Sequence, residues 1–312
     1  MEYSIVVPLY NEEEVITECH RRLTETMAQA GDSYELIFVN DGSRDKTMEL
    51  AREIARKDKH VRIISFSRNF GHQTAITAGM DMASGNAVVV IDADLQDPPQ
   101  VILEMIALWK QGYQVVYGRR SKRKGETAFK KVTAKLFYRT LNAMTDVSIP
   151  VDTGDFRLLD RKVVEALKTL PERNRYVRGL VSWVGFRQIA VEYVREERFA
   201  GETKYPLRKM LKFAGDALTS FSYKPLKLSI VLGGVLSFGC FIYLLVVLYM
   251  ALFTDMTIPG WSSSMVISLF FNGVVLIMLG IIGQYIGRIY DETKGRPIYI
   301  VGEMVGFHDE QA

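Results

Sequence analysis

The apolar run Val88 to Ile91 leads straight into Asp92, Ala93, Asp94, Leu95, Gln96 and Asp97, followed by Pro98 and Pro99. Three carboxylates within six positions repel one another unless a cation sits among them. Oxygen donors of this type suit a hard divalent cation such as Mg2+ or Mn2+. A calcium-binding EF-hand loop would place Gly at its sixth position and a carboxylate at its twelfth. Counted from Asp92, those positions hold Asp97 and Leu103, which rules that loop out. A phosphatase of the haloacid dehalogenase type also carries Asp-x-Asp after an apolar strand, but continues with Gly or Thr rather than Leu-Gln-Asp-Pro-Pro. In the remaining chemistry, transfer of a sugar from a nucleotide donor, the carboxylates hold a cation that bridges the two donor phosphates. That cation neutralises the departing diphosphate as the sugar–oxygen bond breaks. Asp94 and the Gln96 carbonyl are the expected cation ligands. Asp97, ahead of two prolines, reads as the N-cap of the next helix.

The elements that would position these groups alternate over the first 120 residues. Short apolar runs (SIVVPLY, YELIFVND, VRIISFS, NAVVVID, YQVVYG) are separated by segments with helical apolar spacing (12–30, DKTMELAREIARKD, HQTAITAGMDMAS, PQVILEMIALWKQG). Strand–helix alternation predicts an α/β fold with a mainly parallel sheet covered on both faces, whose ligands sit at the carboxyl ends of the strands. PLYNEEE, NDGSRD, SRNFGHQ and DADLQD all fall at such ends, although they lie far apart in the chain.

The net charge of +3 gives no footprint for nucleic acid. Two cysteines, Cys19 and Cys240, imply no disulfide framework and a reducing compartment. The first residues lack the basic-then-apolar pattern of a secretory leader. Leu228 to Phe253 and Met256 to Gly287 contain no charged residue, and a helix needs roughly 20 apolar residues to span a bilayer. Two transmembrane helices are therefore expected. Lys224 and Lys227 flank the first and Arg288, Lys294 and Arg296 the second, whereas the connecting loop carries only Asp255, so both termini are expected on the cytoplasmic side. Gly283 and Gly287 form a small-xxx-small pair suited to helix packing and a homo-oligomer, a tetramer included. Two basic amphipathic segments, 126–144 with Lys131 and Lys135 and 205–225 with Arg208 and Lys212, suit the headgroup layer of a membrane.

Taken in order, VVPLYNEEE, FVNDGSRDKT, SRNFGHQTAITAGMDMASG, VIDADLQDPP, TGDFRLLDR and RFAGETKYP resemble family 2 glycosyltransferases of the polyprenyl-phosphate branch. This branch includes dolichyl-phosphate mannose synthase and the bacterial bactoprenol glucosyltransferases with two C-terminal spans. The resemblance implies a GT-A fold and inverting transfer of a hexose to undecaprenyl or another polyprenyl phosphate at the cytoplasmic face of the bacterial inner membrane. UDP-glucose is the first-choice donor, ahead of GDP-mannose, a UDP-N-acetylhexosamine or an aminoarabinose donor.

The implied layout is a catalytic domain over 1–200, a donor loop and interfacial helix over 201–225, two spans over 226–290 and a cytoplasmic tail over 291–312. Pro8, Tyr10, Asn11, Glu12 and Asp41 would line the base and ribose pocket, and Arg68, Asp92 and Ala93 would also touch the nucleotide sugar. Asp94 and Gln96 would hold Mg2+ or Mn2+. Arg198 and Lys204 would reach the diphosphate. Arg119, Lys131 and Lys135 would meet the lipid phosphate, and Asp155 would orient the acceptor or act as base, with Arg157 as its structural partner. A phosphate monoester with a second pKa of about 6 is already largely a dianion near neutrality, so a strict general base is not required. A processive polysaccharide synthase would carry a QxxRW element, which RYVRGLVSWVGFRQ lacks, and a catalytically decayed scaffold would not need Asp92, Asp94, Arg198 and Lys204 together.

Overall fold

The structure, a computed structural model, describes residues 1–122, 153–173, 175–196, 224–253 and 260–307. The chain divides into two compact units. One comprises Met1–Ala143, Val147–Phe213 and Arg296–Ala312, and the other Met144–Asp146 with Ala214–Gly295.

The first unit is built on strands β1 (Tyr3–Leu9), β2 (Tyr34–Asn40), β3 (Val61–Phe66) and β4 (Ala87–Val90). Almost every residue of these strands is buried, as expected for a parallel sheet with helices on both faces. Helix α1 (Ile16–Ala30) buries Ile16, Cys19, Leu23 and Met27, spaced three and four apart, and ends at Gly31 in the left-handed conformation. Helix α3 (His72–Met82) lies against β1 and β2, and α2 (Thr47–Lys57) and α4 (Val101–Lys110) complete the alternation.

Beyond α4 the chain departs from simple alternation. Strand β5 (Val115–Lys122) does not neighbour β4. Strand β6 (Thr153–Asp160) lies between them, antiparallel to both, and helices α5 (Arg161–Lys168) and α6 (Val177–Trp183) lead to β7 (Gln188–Val194), which runs parallel to β5 at the sheet edge. On the opposite edge β8 (Val301–Val305) pairs antiparallel with β3, giving the order β7-β5-β6-β4-β1-β2-β3-β8. The sheet is thus mostly parallel, with antiparallel pairs where β6 and β8 insert. Residues 301–305, read from sequence as part of a tail, belong to this sheet, and Arg52 clasps Glu303 with both contacting nitrogens.

The topology decides where side chains converge. Because β6 is antiparallel to β4, its first residues emerge at the carboxyl end of β4, and β5 and β7 end on that same side. Asp97 is not the N-cap that the sequence suggested. Helix α4 is preceded by Gln100 with no side-chain cap, and Asp97 is 1 % exposed.

In the second unit two long helices, α7 (Lys224–Phe253) and α8 (Trp261–Thr293), follow one another. Among the described residues one stretch, Phe270–Thr293, is long and apolar enough to cross a membrane, with mean hydropathy 1.8, and Gly233–Tyr243 is a shorter apolar stretch within α7. The expectation of two spanning helices is thus not confirmed among the described residues. The amphipathic segment 126–144 and nearly all of 205–225, with Lys131, Lys135, Arg198 and Lys204, lie outside the described residues.

Packing of α3 on the sheet is tight at Gly79, where a Cβ would stand 2.2 Å from Val6 Cγ1 and 3.1 Å from Val39 Cγ2. Overpacking of this kind costs about 1–3 kcal/mol. Gly79→Ala is therefore expected to lower the melting temperature, and Gly79→Ala combined with Val6→Ala to be less damaging than the sum of the single changes. Strict additivity in a thermal-melt cycle would show that α3 does not rest on β1 in this way.

Candidate active site

The Asp-Ala-Asp-Leu-Gln segment leaves β4 through a backbone bond from Ile91 N–H to Val6 O (3.1 Å). Ala93 and Leu95 are buried, at 3 % and 2 % exposure, while Asp92, Asp94 and Gln96 are half-buried. Leu95 has φ 57°, a left-handed conformation that a bulky side chain rarely adopts. This turn brings Gln96 N–H to Asp94 Oδ1 at 3.1 Å. Asp94 and Gln96 therefore sit together across a strained residue.

These two residues fit a hard cation by donor chemistry. Both supply oxygen, the Gln96 carbonyl has two lone pairs of which Glu196 N–H takes one at 2.9 Å, and the Gln96 side-chain amide adds a further oxygen. No group of three or more His, Cys, Asp or Glu is placed to hold a metal among the described residues. A cation bound by Asp94 and Gln96 would draw its other ligands from water and substrate oxygens, the usual arrangement for Mg2+ at a phosphate site.

The neighbouring strand ends form a second wall. Pro8 is buried in β1, and Tyr10 is 37 % exposed just beyond it. Asn11 is left-handed (φ 54°) and cross-links two loops, its N–H donating to Ser43 Oγ and its Oδ1 accepting from Arg44 N–H. Glu12 N–H donates to Thr47 Oγ1. Asp41 is 3 % exposed, and its carboxylate accepts from Phe70 N–H (2.6 Å), Gly71 N–H (3.0 Å) and Asn69 Nδ2 (2.9 Å). Burial raises its pKa, and the amides of Phe70 and Gly71 offset part of that rise. Asp41 thus anchors the loop after β3. Gly42 makes the approach feasible, since with φ 67° a Cβ there would stand 2.6 Å from the backbone of Arg68 and Asn69. Arg68 itself is exposed and lies over the Phe70 ring at 4.2 Å.

Between these walls a charged cluster joins Asp92 and Asp155, both expected in the site, to His72, Gln73 and Arg178, which were not. Arg178 grips Asp155 with two hydrogen bonds, Nε to Oδ1 at 2.8 Å and Nη2 to Oδ2 at 2.9 Å, and Gln73 Nε2 adds a third at 3.2 Å. Arg157, expected to pair with Asp155, instead donates to the backbone carbonyls of Gly154 and Asp155. His72 Nε2 stands 3.3 Å from Asp155 Oδ2 and 3.4 Å from Asp92 Oδ1, and the latter oxygen is buried without a hydrogen bond. Burial alone would lower the His72 pKa, but Asp92 and Asp155 outweigh it and raise it to about 9. Asp92 is pushed up to about 6, first by burial and, against the opposing pull of His72, by Asp155, Asp97 and Asp94. Asp155 is also subject to the burial penalty, yet Arg178 and His72 hold it well below the usual carboxylate range. Asp92 and Asp155 were expected in the site separately, His72 and Gln73 appeared only within the SRNFGHQ stretch between β3 and α3, and Arg178 was not anticipated. Arg119 is exposed and bonded to Glu192 of β7 at 2.5 Å.

The sequence model of Glycosyl transferase family 2 matches residues 4–168, and five of the six strings quoted above lie wholly in that range. The chain belongs to glycosyltransferase family 2. It is 63 % identical over 311 residues to the uncharacterized glycosyltransferase YkcC of Bacillus subtilis, an alignment covering 100 % of this chain and 96 % of that one. It is 40 % identical over 301 residues to the prophage bactoprenol glucosyl transferase homolog of Escherichia coli, covering 96 % and 98 % of the two chains. A solved glucosyl-3-phosphoglycerate synthase from Mycobacterium tuberculosis aligns over 70 % of this chain and 76 % of its own at 22 % identity and a TM-score of 0.48, too remote to bear on ligands. The glycosyltransferase therefore has the α/β architecture expected of it, with the Asp92-to-Gln96 row at the carboxyl end of β4.

The His72 charge state gives a pH test with a defined sign. Since the folded state raises its pKa from 6.5 to about 9, the imidazolium contributes stability in full below pH 6.5 and loses it as pH rises through about 9. His72→Gln should flatten that part of the melting-temperature profile relative to the parent. Parallel profiles between pH 6 and 10 would show that the imidazole is not held as a cation. Arg178→Ala should cost about 3 kcal/mol, because it leaves Asp155 buried without its main counter-charge, and the loss should be visible as a lowered melting temperature.

Proposed function

We propose that this glycosyltransferase moves a hexose, glucose from UDP-glucose in the first instance, onto a polyprenyl phosphate at the cytoplasmic face of a membrane. One observation carries the reading. Asp94 and Gln96, both partly exposed, are held together at a strand end by the left-handed Leu95, and their oxygens would hold a divalent cation beside a nucleotide diphosphate. The near full-length similarity to bactoprenol glucosyl transferases, 42 % identical for that of Shigella phage SfV, supports the lipid acceptor. The uncharged runs that begin at Leu228 and Met256, with their basic flanks, support a chain that crosses the membrane twice and keeps both termini inside.

In this reading Pro8, Tyr10, Asn11, Glu12 and Arg68 border the nucleotide, with Asp41 holding the loop that forms one side. Asp92 lies beside the sugar, and Arg198 and Lys204 meet the diphosphate. A bound Mg2+ or Mn2+ held by Asp94 and Gln96 would act as a Lewis acid toward the diphosphate. Asp155 does not serve as the base. Its carboxylate is fully ionised well below neutrality and enclosed by Arg178, His72 and Gln73, so it has little affinity for a proton. The acceptor phosphate brings its own negative oxygen, and the cluster orients the reacting groups around it. Arg119, Lys131 and Lys135 supply positive charge for that phosphate.

Purified protein in detergent, given undecaprenyl phosphate and a panel of UDP- and GDP-sugars, should yield one hexosyl-lipid by mass spectrometry. Asp94→Asn should reduce its formation about a thousandfold, the scale of several kcal/mol of Lewis-acid stabilisation. Wild-type turnover in excess chelator would exclude the cation, and a panel without lipid product would exclude the acceptor. For topology, a membrane-impermeant thiol reagent applied to intact cells should label Ser262→Cys and leave Ser121→Cys unlabelled. The reverse pattern would place the catalytic unit outside.

A further inference from the structure

Of the three carboxylates that follow β4, Asp92 and Asp94 are partly exposed and Asp97 is buried, at 1 % exposure. The partners of Asp97 lie at the ends of two other strands. The Tyr193 hydroxyl on β7 donates to Asp97 Oδ1. Arg120 Nη2 on β5 stands 3.7 Å from that oxygen, and Arg195 Nε, just past β7, stands 3.9 Å from it. Arg120 Nε also donates to the Tyr193 hydroxyl at 3.4 Å. One residue beyond Arg195, Glu196 N–H donates to Gln96 O at 2.9 Å. Gly154 leaves room for this arrangement, since a Cβ there would come within 2.9 Å of Arg120 Nη2.

A buried carboxylate is costly unless it is paired, so a position that merely filled space would be apolar. The adjacent backbone shows what the pairing achieves. A left-handed Leu95 costs about 1–2 kcal/mol and persists only if its surroundings fix both sides of it. The bond from Ile91 to Val6 fixes the entry, and Asp97 with the Glu196–Gln96 bond fixes the exit. Released on the exit side, Leu95 would relax toward negative φ and separate Asp94 from Gln96.

We propose that Asp97 is a positioning residue which, through Tyr193, clamps the Asp94–Gln96 turn to the end of β7. The clamp holds the cation-ligating pair in register with Glu196 at the end of β7. The consequence for the cation rests on the donor reading above. The clamp itself does not.

The test uses full-length protein in detergent, with Tyr193→Phe removing only the hydroxyl and Asp97→Asn keeping an acceptor oxygen for it. In Tyr193→Phe, hydrogen exchange at Gln96 and Glu196 should accelerate while β1 and β2 stay as protected as in the parent. UDP binding by calorimetry should weaken about tenfold with Mn2+ present, the scale of one hydrogen bond to a charged group. With chelator it should be unchanged. Asp97→Asn should retain most of both properties. Unchanged exchange at Gln96 and Glu196 in Tyr193→Phe would overturn the clamp, as would equal weakening of UDP binding with and without Mn2+. Global loss of protection in Tyr193→Phe would make the pair a general structural contact and likewise overturn it. A parent protein that binds no nucleotide with any cation would instead refute the donor reading, with the exchange comparison still deciding the clamp.

Discussion

The structure depends on the mutual repulsion of carboxylates at one strand end, and on how each is relieved differently. Asp92, Asp94 and Asp97 follow the same apolar strand, yet a left-handed residue and an inward turn send them to three environments. Asp97 is neutralised inside by Tyr193 and two arginines. Asp92 shares His72 with Asp155. Asp94 turns outward with Gln96. Alternation along an extended chain could not do this, because it sends every second side chain to the same face. The strain at Leu95 is what separates the roles.

The insertion of β6 serves the same end. Had β5 simply continued the parallel series, the carboxyl end of β4 would have faced another strand end and a covering helix. An antiparallel strand brings its beginning there instead. Thr153 to Asp155 therefore enter the site from the opposite chain direction, and the Arg178 side chain closes on Asp155. Parallel neighbours supply loops to one edge, and the antiparallel one supplies the counter-charged centre.

The parallel core was legible because its signal is local. Continuous apolar runs alternate with helical spacing, and β1 to β4 and α1 to α4 form where that pattern puts them. Strands β6, β7 and β8 were not assigned, since TGDFRLLD and QIAVEYV are short, mixed in polarity and paired over long sequence separations. The Asp92-to-Gln96 row was legible from carboxylate spacing. The role of Asp97 was not, because its local context, two prolines ahead of a helix, imitates a cap, and its true partner is 96 positions away. Arg157 was expected beside Asp155 on proximity alone. In a strand the residue two positions on shares the same face but reaches backbone more readily than its neighbour's carboxylate, and Arg178 from a following helix has the better approach.

The charged cluster also constrains how the chemistry can run. Asp92 and Asp155 face the same imidazole, but their proton affinities are driven apart, up to about 6 for Asp92 and well below the carboxylate range for Asp155. The difference is Arg178, which satisfies Asp155 with two hydrogen bonds and leaves Asp92 with a buried oxygen that accepts none. When two carboxylates are separated in this way, the one with the raised pKa is the one able to exchange a proton near neutrality. Asp155 is thereby a fixed negative charge that keeps His72 protonated, and the imidazolium in turn limits the cost of ionising Asp92. In the proposed reaction an acceptor phosphate dianion would need no proton removed. Two carboxylates facing an imidazolium and a guanidinium would offer it a surrounding field near balance in charge.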